Sequence, residues 1–268
     1  MKLSDFHILY INLDRRPERK NSIENELLRL NLLNNATRIS AIDGQLIDQN
    51  VNKLAKEFNT IPEKMNSNFW LNRSNFKTMC KISSRVLGRV GCYLSHLRAF
   101  NYAKKHNLFP LLIIEDDCIF NIDSDIEISL PPKTCDMFYL GALFWHLTDN
   151  PAYLDNSEWC ILDSSKLKLI CTFSYGLMNR NNLDNMIKLM TSVWNDGKSC
   201  DKPRNWKSGE QKVRATSLDL MYVNFVQKYG NVYFINPQLT KQSNKFISDI
   251  TDLGKKTPSK PYKHNYYY

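Results

Sequence analysis

Three consecutive acids, Glu115-Asp116-Asp117, close the apolar run Leu111-Leu112-Ile113-Ile114 and are the strongest chemical signal in the chain. Carboxylates crowded at the mouth of a buried strand disfavour one another's charge unless something neutralises them. On an extended chain residues i and i+2 share a side, which predicts that Glu115 and Asp117 converge on one cation while Asp116 faces away. Hard carboxylate oxygens suit Mn²⁺ or Mg²⁺ rather than zinc or copper. Such an ion can bridge two phosphates of a nucleoside diphosphate and absorb the charge that develops as a leaving group departs. The same acids would also serve to cap a loop or the next helix, to form a receiver-like phosphoacceptor pocket, or to build a metal-dependent phosphatase. The surrounding elements have to decide between these.

Those elements read as an open α/β sheet. Residues 6–11 are a short apolar run, hence a buried strand, and Pro17 fits the first turn of a helix. Ile23, Leu27 and Leu30 mark one helical face that ends near Asn34-Asn35, and residues 37–41 return as a second strand stopped by Asp43-Gly44. This β-α-β opening is typical of nucleotide-binding sheets. Residues 45–90 look irregular, with a short helix at 51–58. Beyond Gly91 a helix carries Tyr93, Leu97 and Phe100 on one face and His96, Ala99 and Ala103 on an adjacent one. Residues 111–114 are the best strand, with the acids at its C-terminal end, where open α/β sheets bind ligands. A strand at 136–140 follows, then a hairpin-like pair at 167–171 and 175–178. Leu183, Ile187, Met190 and Trp194 mark a helix, and Ser217 is the expected N-cap of another that runs to Gly230. Residues 232–235 are expected to be the last strand.

Composition sets the outer limits. At 268 residues, 43% hydrophobic and 12% aromatic, the chain has the apolar surface for a substantial core and is not disordered. We expect one domain over residues 1–250 and a Lys-, Pro- and Tyr-rich mobile tail over 251–268. A net charge of +9 suits an anionic partner such as a nucleotide, an acidic glycan, a nucleic acid or a membrane surface. The excess gathers at Lys198, Lys202, Arg204, Lys207, Lys212 and Arg214, and again at Lys241, Lys245, Lys255, Lys256, Lys260 and Lys263. Both clusters read more simply as solvated segments. No nucleic-acid motif accompanies them, so no nucleic-acid partner is expected. Seven scattered cysteines without a C-x-x-C pair point to reduced, buried thiols and a cytoplasmic setting. The N-terminus lacks the apolar core of a signal peptide, and no run approaches the ~20 residues needed to span a bilayer. A peripheral membrane contact stays open.

Four blocks in order resemble glycosyltransferase family 25, the lipooligosaccharide-biosynthesis and collagen-galactosyltransferase family. They are Tyr10-Ile11-Asn12-Leu13-Asp14-Arg15-Arg16-Pro17-Glu18-Arg19, then Ala41-Ile42-Asp43-Gly44, then residues 88–99 with Gly91-Cys92 and Leu94-Ser95-His96, and residues 112–120 followed by 136–141. Weaker echoes are residues 175–178, Leu218-Asp219 and Ser248-Asp249. Arg89 stands where the family usually has Glu. The resemblance implies a GT-A-type fold, an open mixed sheet flanked by helices. It also implies a UDP-sugar donor carrying galactose or glucose, Mn²⁺ or Mg²⁺, inversion at the anomeric carbon, and a glycan or hydroxylysine-type acceptor.

Under that resemblance the residues take roles. Glu115 and Asp117 become metal and diphosphate contacts, and Asp116 touches the ribose or the sugar. Asn12, Asp14 and Arg15 end the first strand, where a base and ribose would lie; simple turn chemistry explains them equally. Ser95 and His96 sit on a helix, His96 either donating to a diphosphate oxygen or supporting the acidic run, or merely half-buried. Asp219 is the candidate general base for the acceptor hydroxyl, unless it only complements a helix dipole. Asp249 would line the acceptor side or assist the metal, and Lys241 and Arg214 would neutralise phosphate.

Overall fold

A computed structural model describes residues 1–60, 80–147, 158–196 and 217–246. The expected mobile tail, Asp249, Arg214 and most of the two basic clusters lie outside these described residues.

The chain begins with β1 (His7–Asn12), five of whose six residues are buried, as a strand covered on both faces requires. In α1 (Pro17–Arg29) Pro17 occupies the first turn and Arg19, Ile23 and Leu27 point inward. A short 3₁₀ turn, Leu33–Asn35, separates the helix from β2 (Ala36–Ser40). The helix therefore stops earlier than the asparagine pair suggested. The expected short helix is α2 (Val51–Glu57).

The next helix departs from expectation. Described from Cys80, α3 (Cys80–His106) is already helical well before Gly91. The sequence starts this helix only beyond Gly91, a residue type of poor helix propensity. Here close approach explains Gly91. A Cβ on Gly91 would lie 2.5 Å from the Ile42 carbonyl oxygen, and one on Gly44 would lie 2.2 Å from the Leu87 carbonyl oxygen. The two missing side chains let the loop after β2 rest directly on α3. Both expected faces of this helix are buried: Tyr93, Leu97 and Phe100 on one, His96, Ala99 and Ala103 on the other.

The remaining elements are β3 (Leu111–Glu115), β4 (Cys118–Phe120), β5 (Met137–His146), β6 (Trp159–Ile161), β7 (Leu167–Leu177) and α4 (Arg180–Asp196). Then follow α5, which runs from Leu218–Met221 through a π-turn at Tyr222–Val226 to Gln227–Tyr229, and finally β8 (Val232–Ile235) and β9 (Thr240–Gln242). Two expectations fail here. The hairpin-like pair is a single strand, β7, which pairs with β3 on one side and β5 on the other. Cys171, with φ 72°, interrupts its regularity without turning it back. Nor is β8 the last strand: β9 follows and pairs antiparallel with β4. Three mostly polar residues carry no periodic signal.

Seven strands form one sheet in the order β2-β1-β3-β7-β5-β8-β6. The β2-β1-β3 part is parallel, β7 runs antiparallel between β3 and β5, and β5 and β8 are again parallel. Alternation divides the core cleanly. Leu9, Ile11, Leu111 and Ile113 join the cluster built with α3, α4 and α5. Ile8, Tyr10, Leu112 and Ile114 join the cluster built with α1. The mixed sheet with helices on both faces is the expected architecture. Among the described residues no helix is long and apolar enough to cross a membrane.

Candidate active site

A cavity of about 150 Å³ opens at the C-terminal ends of the adjacent parallel strands β1 and β3. Five segments line it: Ile11 of β1 with Leu13, Arg15 and Arg19 beyond it, residues 41–45 after β2, α3 through Gly88, Cys92, Ser95 and His96, the three acids, and Gln242 of β9.

The acids do not divide as simple alternation predicted. The strand ends at Glu115, and Asp116 and Asp117 form a turn, so the two-residue period no longer applies. Asp116 and Asp117 both meet Arg19, whose Nη2 lies 2.5 Å from Asp116 Oδ1 and 2.9 Å from Asp117 Oδ2. Arg19 is only 8% exposed, and the Phe246 ring stands 5.8 Å from its guanidinium. Asn12 donates to Asp116 Oδ2 at 2.7 Å and Gln242 to Asp117 Oδ2 at 3.1 Å. Burial still wins for Asp116. It pushes the carboxyl up to about 7 against the pull of Arg19, with Asp117 and Glu115 adding to the rise. Burial also raises Asp117, again against Arg19.

Glu115 sits in a different environment. Thr172 donates to its Oε1, and His96 Nε2 lies 3.3 Å from the same oxygen. Burial would raise this carboxyl, but His96, Thr172 and Arg19 together hold it below the usual range. Behind His96 stands a pair of buried tyrosines. Tyr222 donates to the Tyr175 hydroxyl at 3.0 Å, and Tyr175 meets His96 Nδ1 at 2.6 Å. That order sends the Tyr175 proton to Nδ1 and leaves the ring proton on Nε2.

The other sequence candidates scatter around this centre. Arg15 lines the cavity with its Nε 2.5 Å from Asp43 Oδ2, and Asp43 also accepts from the Gln45 N–H. Ser95 lines it too, but its hydroxyl is engaged by backbone: it donates to Gly91 and accepts from the Ile42 N–H at 2.8 Å. Asn12 is buried beneath Asp116 and bonded to Arg38, so it orients an acid from outside the cavity lining. Asp14 is 70% exposed, pairs with Arg38 and Ser40, and does not line the cavity. Asp219 lies outside the lining as well. Its Oδ1 accepts from Ser217 and from the Leu220 N–H, so Ser217 bonds a carboxylate instead of capping the helix backbone. Burial pushes the Cys92 and Cys171 thiols up, and the Asp219 charge adds to the rise at both. Lys241 is exposed on β9, and Arg89 is not among the lining residues.

Sequence reasoning missed Arg19, Asp43 and Gln242 as site residues, along with Thr172 and Tyr175 behind them. Arg19 and Asp43 stand inside two of the quoted blocks, so their position was visible and only their role was not. Gln242 carries no local signal at all.

The acid cluster suits the divalent cation that the resemblance implies. Asp117 Oδ1 is buried without a hydrogen-bond partner. Arg19 supplies one positive charge against the two carboxylates of Asp116 and Asp117, with Glu115 beside them. A hard cation fits that excess and that oxygen donor set.

Comparison with known proteins agrees with this geometry. The sequence profile of glycosyltransferase family 25, described as an LPS biosynthesis protein, matches residues 6–191, more than half of the chain. A glycosyltransferase 25 family member of Drosophila pseudoobscura pseudoobscura is 29% identical over 121 residues, 45% of this chain. A second such protein, from Aedes aegypti, is 29% identical over 120 residues, 44% of this chain. Each alignment spans 17% of the insect protein's length. Profile and blocks cover the same strands, the same cavity loops and the same acids: the chain belongs to glycosyltransferase family 25, and its mixed α/β sheet is of the GT-A type.

Proposed function

We propose that this chain is a metal-dependent, inverting glycosyltransferase. It moves a hexose, galactose or glucose, from a UDP-sugar to a hydroxyl of a glycan or hydroxylysine-type acceptor. One observation carries the reading. A partly neutralised acid cluster lines a cavity at the C-terminal ends of two adjacent parallel strands, where open α/β sheets bind nucleotides.

The residues divide the work. Asp117 Oδ1 and Glu115 would hold Mn²⁺ or Mg²⁺, which supplies charge neutralisation for the departing diphosphate. Arg19 keeps the acid turn closed, and Asn12 fixes the orientation of Asp116. Arg15, anchored on Asp43 and partly exposed, presents a guanidinium at the cavity edge suited to a phosphate. The loop 41–45, seated on α3 through Gly44 and Gly91, gives the nucleotide a rigid surface. Asp219 is the general-base candidate. Both of its bonds go to Oδ1, so Oδ2 is left to take a proton from the acceptor hydroxyl. A single displacement opposite the leaving UDP inverts the anomeric carbon and needs no covalent intermediate.

UDP release from a panel of UDP-sugars with Mn²⁺ tests the reading, comparing the wild type with Asp117→Ala. We expect metal-dependent turnover of one donor, reduced about 100-fold or more in the variant. No release from any donor, with glycan and hydroxylysine acceptors present, would reassign the chain as a nucleotide-sugar-binding protein without turnover.

A further inference from the structure

We propose that Cys92, His96 and Glu115 form a second metal site on the α3 side of the cavity, one that takes a thiophilic divalent cation such as Zn²⁺ and inhibits the protein when filled. The existence of the site stands on its own geometry. The inhibition rests on the reading of the cavity as a donor pocket.

Geometry comes first. Cys92 and His96 are four residues apart on α3 and so project from the same face of the helix. Glu115 meets them from the end of β3. One thiol sulfur, one ring nitrogen and one carboxylate oxygen all lie within 4.8 Å of one another. Ligand atoms around a tetrahedral zinc sit roughly 3.3–3.8 Å apart, given its usual bond lengths. Small side-chain rotations therefore close the set without moving the backbone.

His96 supplies an independent sign of a missing ligand. The residue is 1% exposed, yet its Nε2 has no hydrogen-bond partner; Glu115 Oε1 is near but poorly aligned. Buried polar atoms in folded proteins nearly always have partners. The surroundings are also those a metal-binding histidine needs. Ligating histidines commonly donate their second ring N–H to a neighbour that fixes the ring. The Tyr175–Tyr222 pair can provide that acceptor by reversing its donor order, Nδ1–H to Tyr175 and Tyr175 to Tyr222. Thr172 holds Glu115 in the same way.

Chemistry then selects the ion. A sulfur, nitrogen and oxygen set favours Zn²⁺ over Mn²⁺ or Mg²⁺ both by ligand softness and by the general affinity order of divalent metals. As the Zn–S bond forms, the Cys92 thiol proton leaves to solvent. The Nε2 proton also leaves to solvent as the metal takes its place, and Nδ1 takes one up from solvent as the tyrosine hydroxyls turn round, so the imidazole stays neutral. Three protein ligands leave a fourth position open, and all three residues line the cavity, so that position faces the donor space. Zinc there also draws Glu115 away from Asp117, the pair proposed to hold the hard metal.

Cobalt provides a readout independent of activity. Metal-free protein is titrated with Co²⁺, and the thiolate-to-cobalt charge-transfer band and tetrahedral d–d bands are recorded. UDP binding with Mn²⁺ is measured by calorimetry on the same preparation, before and after Zn²⁺. The wild type should develop the thiolate band at one equivalent, Zn²⁺ should abolish it, and Zn²⁺ should suppress UDP binding. The band should vanish in Cys92→Ser, whose UDP binding should resist Zn²⁺. It should persist in Cys171→Ser and in Asp117→Ala. Should Cys92→Ser fail to fold, Glu115→Gln serves in its place, with loss of the tetrahedral d–d bands expected. No thiolate band in the wild type, or a band that survives Cys92→Ser, overturns the proposal. If UDP still binds in that case, the donor reading stands alone; a thiolate band without UDP binding sinks the donor reading and leaves the zinc site.

Discussion

Two sides of one cavity hold neighbouring acids in opposite ways. On the α1 side, Asp116 and Asp117 are neutralised by a buried guanidinium that forms ion pairs with both. On the α3 side, Glu115 is held by a threonine hydroxyl and a histidine backed by two tyrosines. Burial raises the acids of the first group despite their arginine. The third carboxyl is held low against the same burial by the nearby His96 ring and the Thr172 hydroxyl. Proximity to a cation therefore does not by itself set the direction of a buried carboxyl's shift: Asp116 and Asp117 rise beside Arg19, whereas Glu115 falls beside His96 and Thr172. The contrast also separates duties. The α1 side has an excess of hard oxygen donors, whereas the α3 side mixes sulfur, nitrogen and oxygen.

The comparison breaks most visibly at Arg19. Replacing it with Met strands two buried carboxylates, and we expect a loss of about 3–5 kcal/mol in denaturant unfolding. Mn²⁺ should restore more of that stability in Arg19→Met than it adds to the wild type, because the metal then supplies the missing charge. Equal stabilisation of both proteins would mean that the cation binds elsewhere. A smaller effect is expected on the α3 side. Tyr175→Phe leaves buried His96 Nδ1 and the Tyr222 hydroxyl without their partner, costing about 1–3 kcal/mol in the same assay. If Tyr175→Phe proved the costlier change, the distinction between an ionic and a neutral half would be wrong. Smallest of all is Asp14→Ala, which removes an exposed ion pair with Arg38 at the rim. Its expected cost is about 0.2–1 kcal/mol, with UDP binding little changed. A large loss of UDP binding would return Asp14 to the donor site, from whose lining the structure leaves it out.

Much of the frame was legible from sequence. The opening β-α-β unit, the apolar strand that carries the acids and the helix with two buried faces all have local periodicities, and each was found near its observed position except for the start of that helix, which is already formed at Cys80. The signals that misled were local ones overridden by contact. Gly91 reads as the point beyond which the helix starts, yet it serves the approach of Ile42 to α3. Residues 172–174 read as a gap between two strands, yet they continue one strand in which Ser174 stands in register with Ile114 and Gly141. The site itself was half legible. The acids and His96 announce themselves by type and place, but alternation assigned Asp116 to the wrong side, because the backbone turns immediately after Glu115.

By itself the sequence determined the elements, the order of the blocks and the presence of an acid cluster at a strand end. Each of these depends on residues within a turn or two of one another. The tertiary structure alone decided which charge meets those acids. Arg19 reaches Asp116 across 97 positions, counted as 116 − 19, and Gln242 reaches Asp117 across 125. No local pattern records such pairings. They exist because β1 and β3 lie side by side in the sheet while β4 pairs with β9, so the ends of distant segments share one small volume.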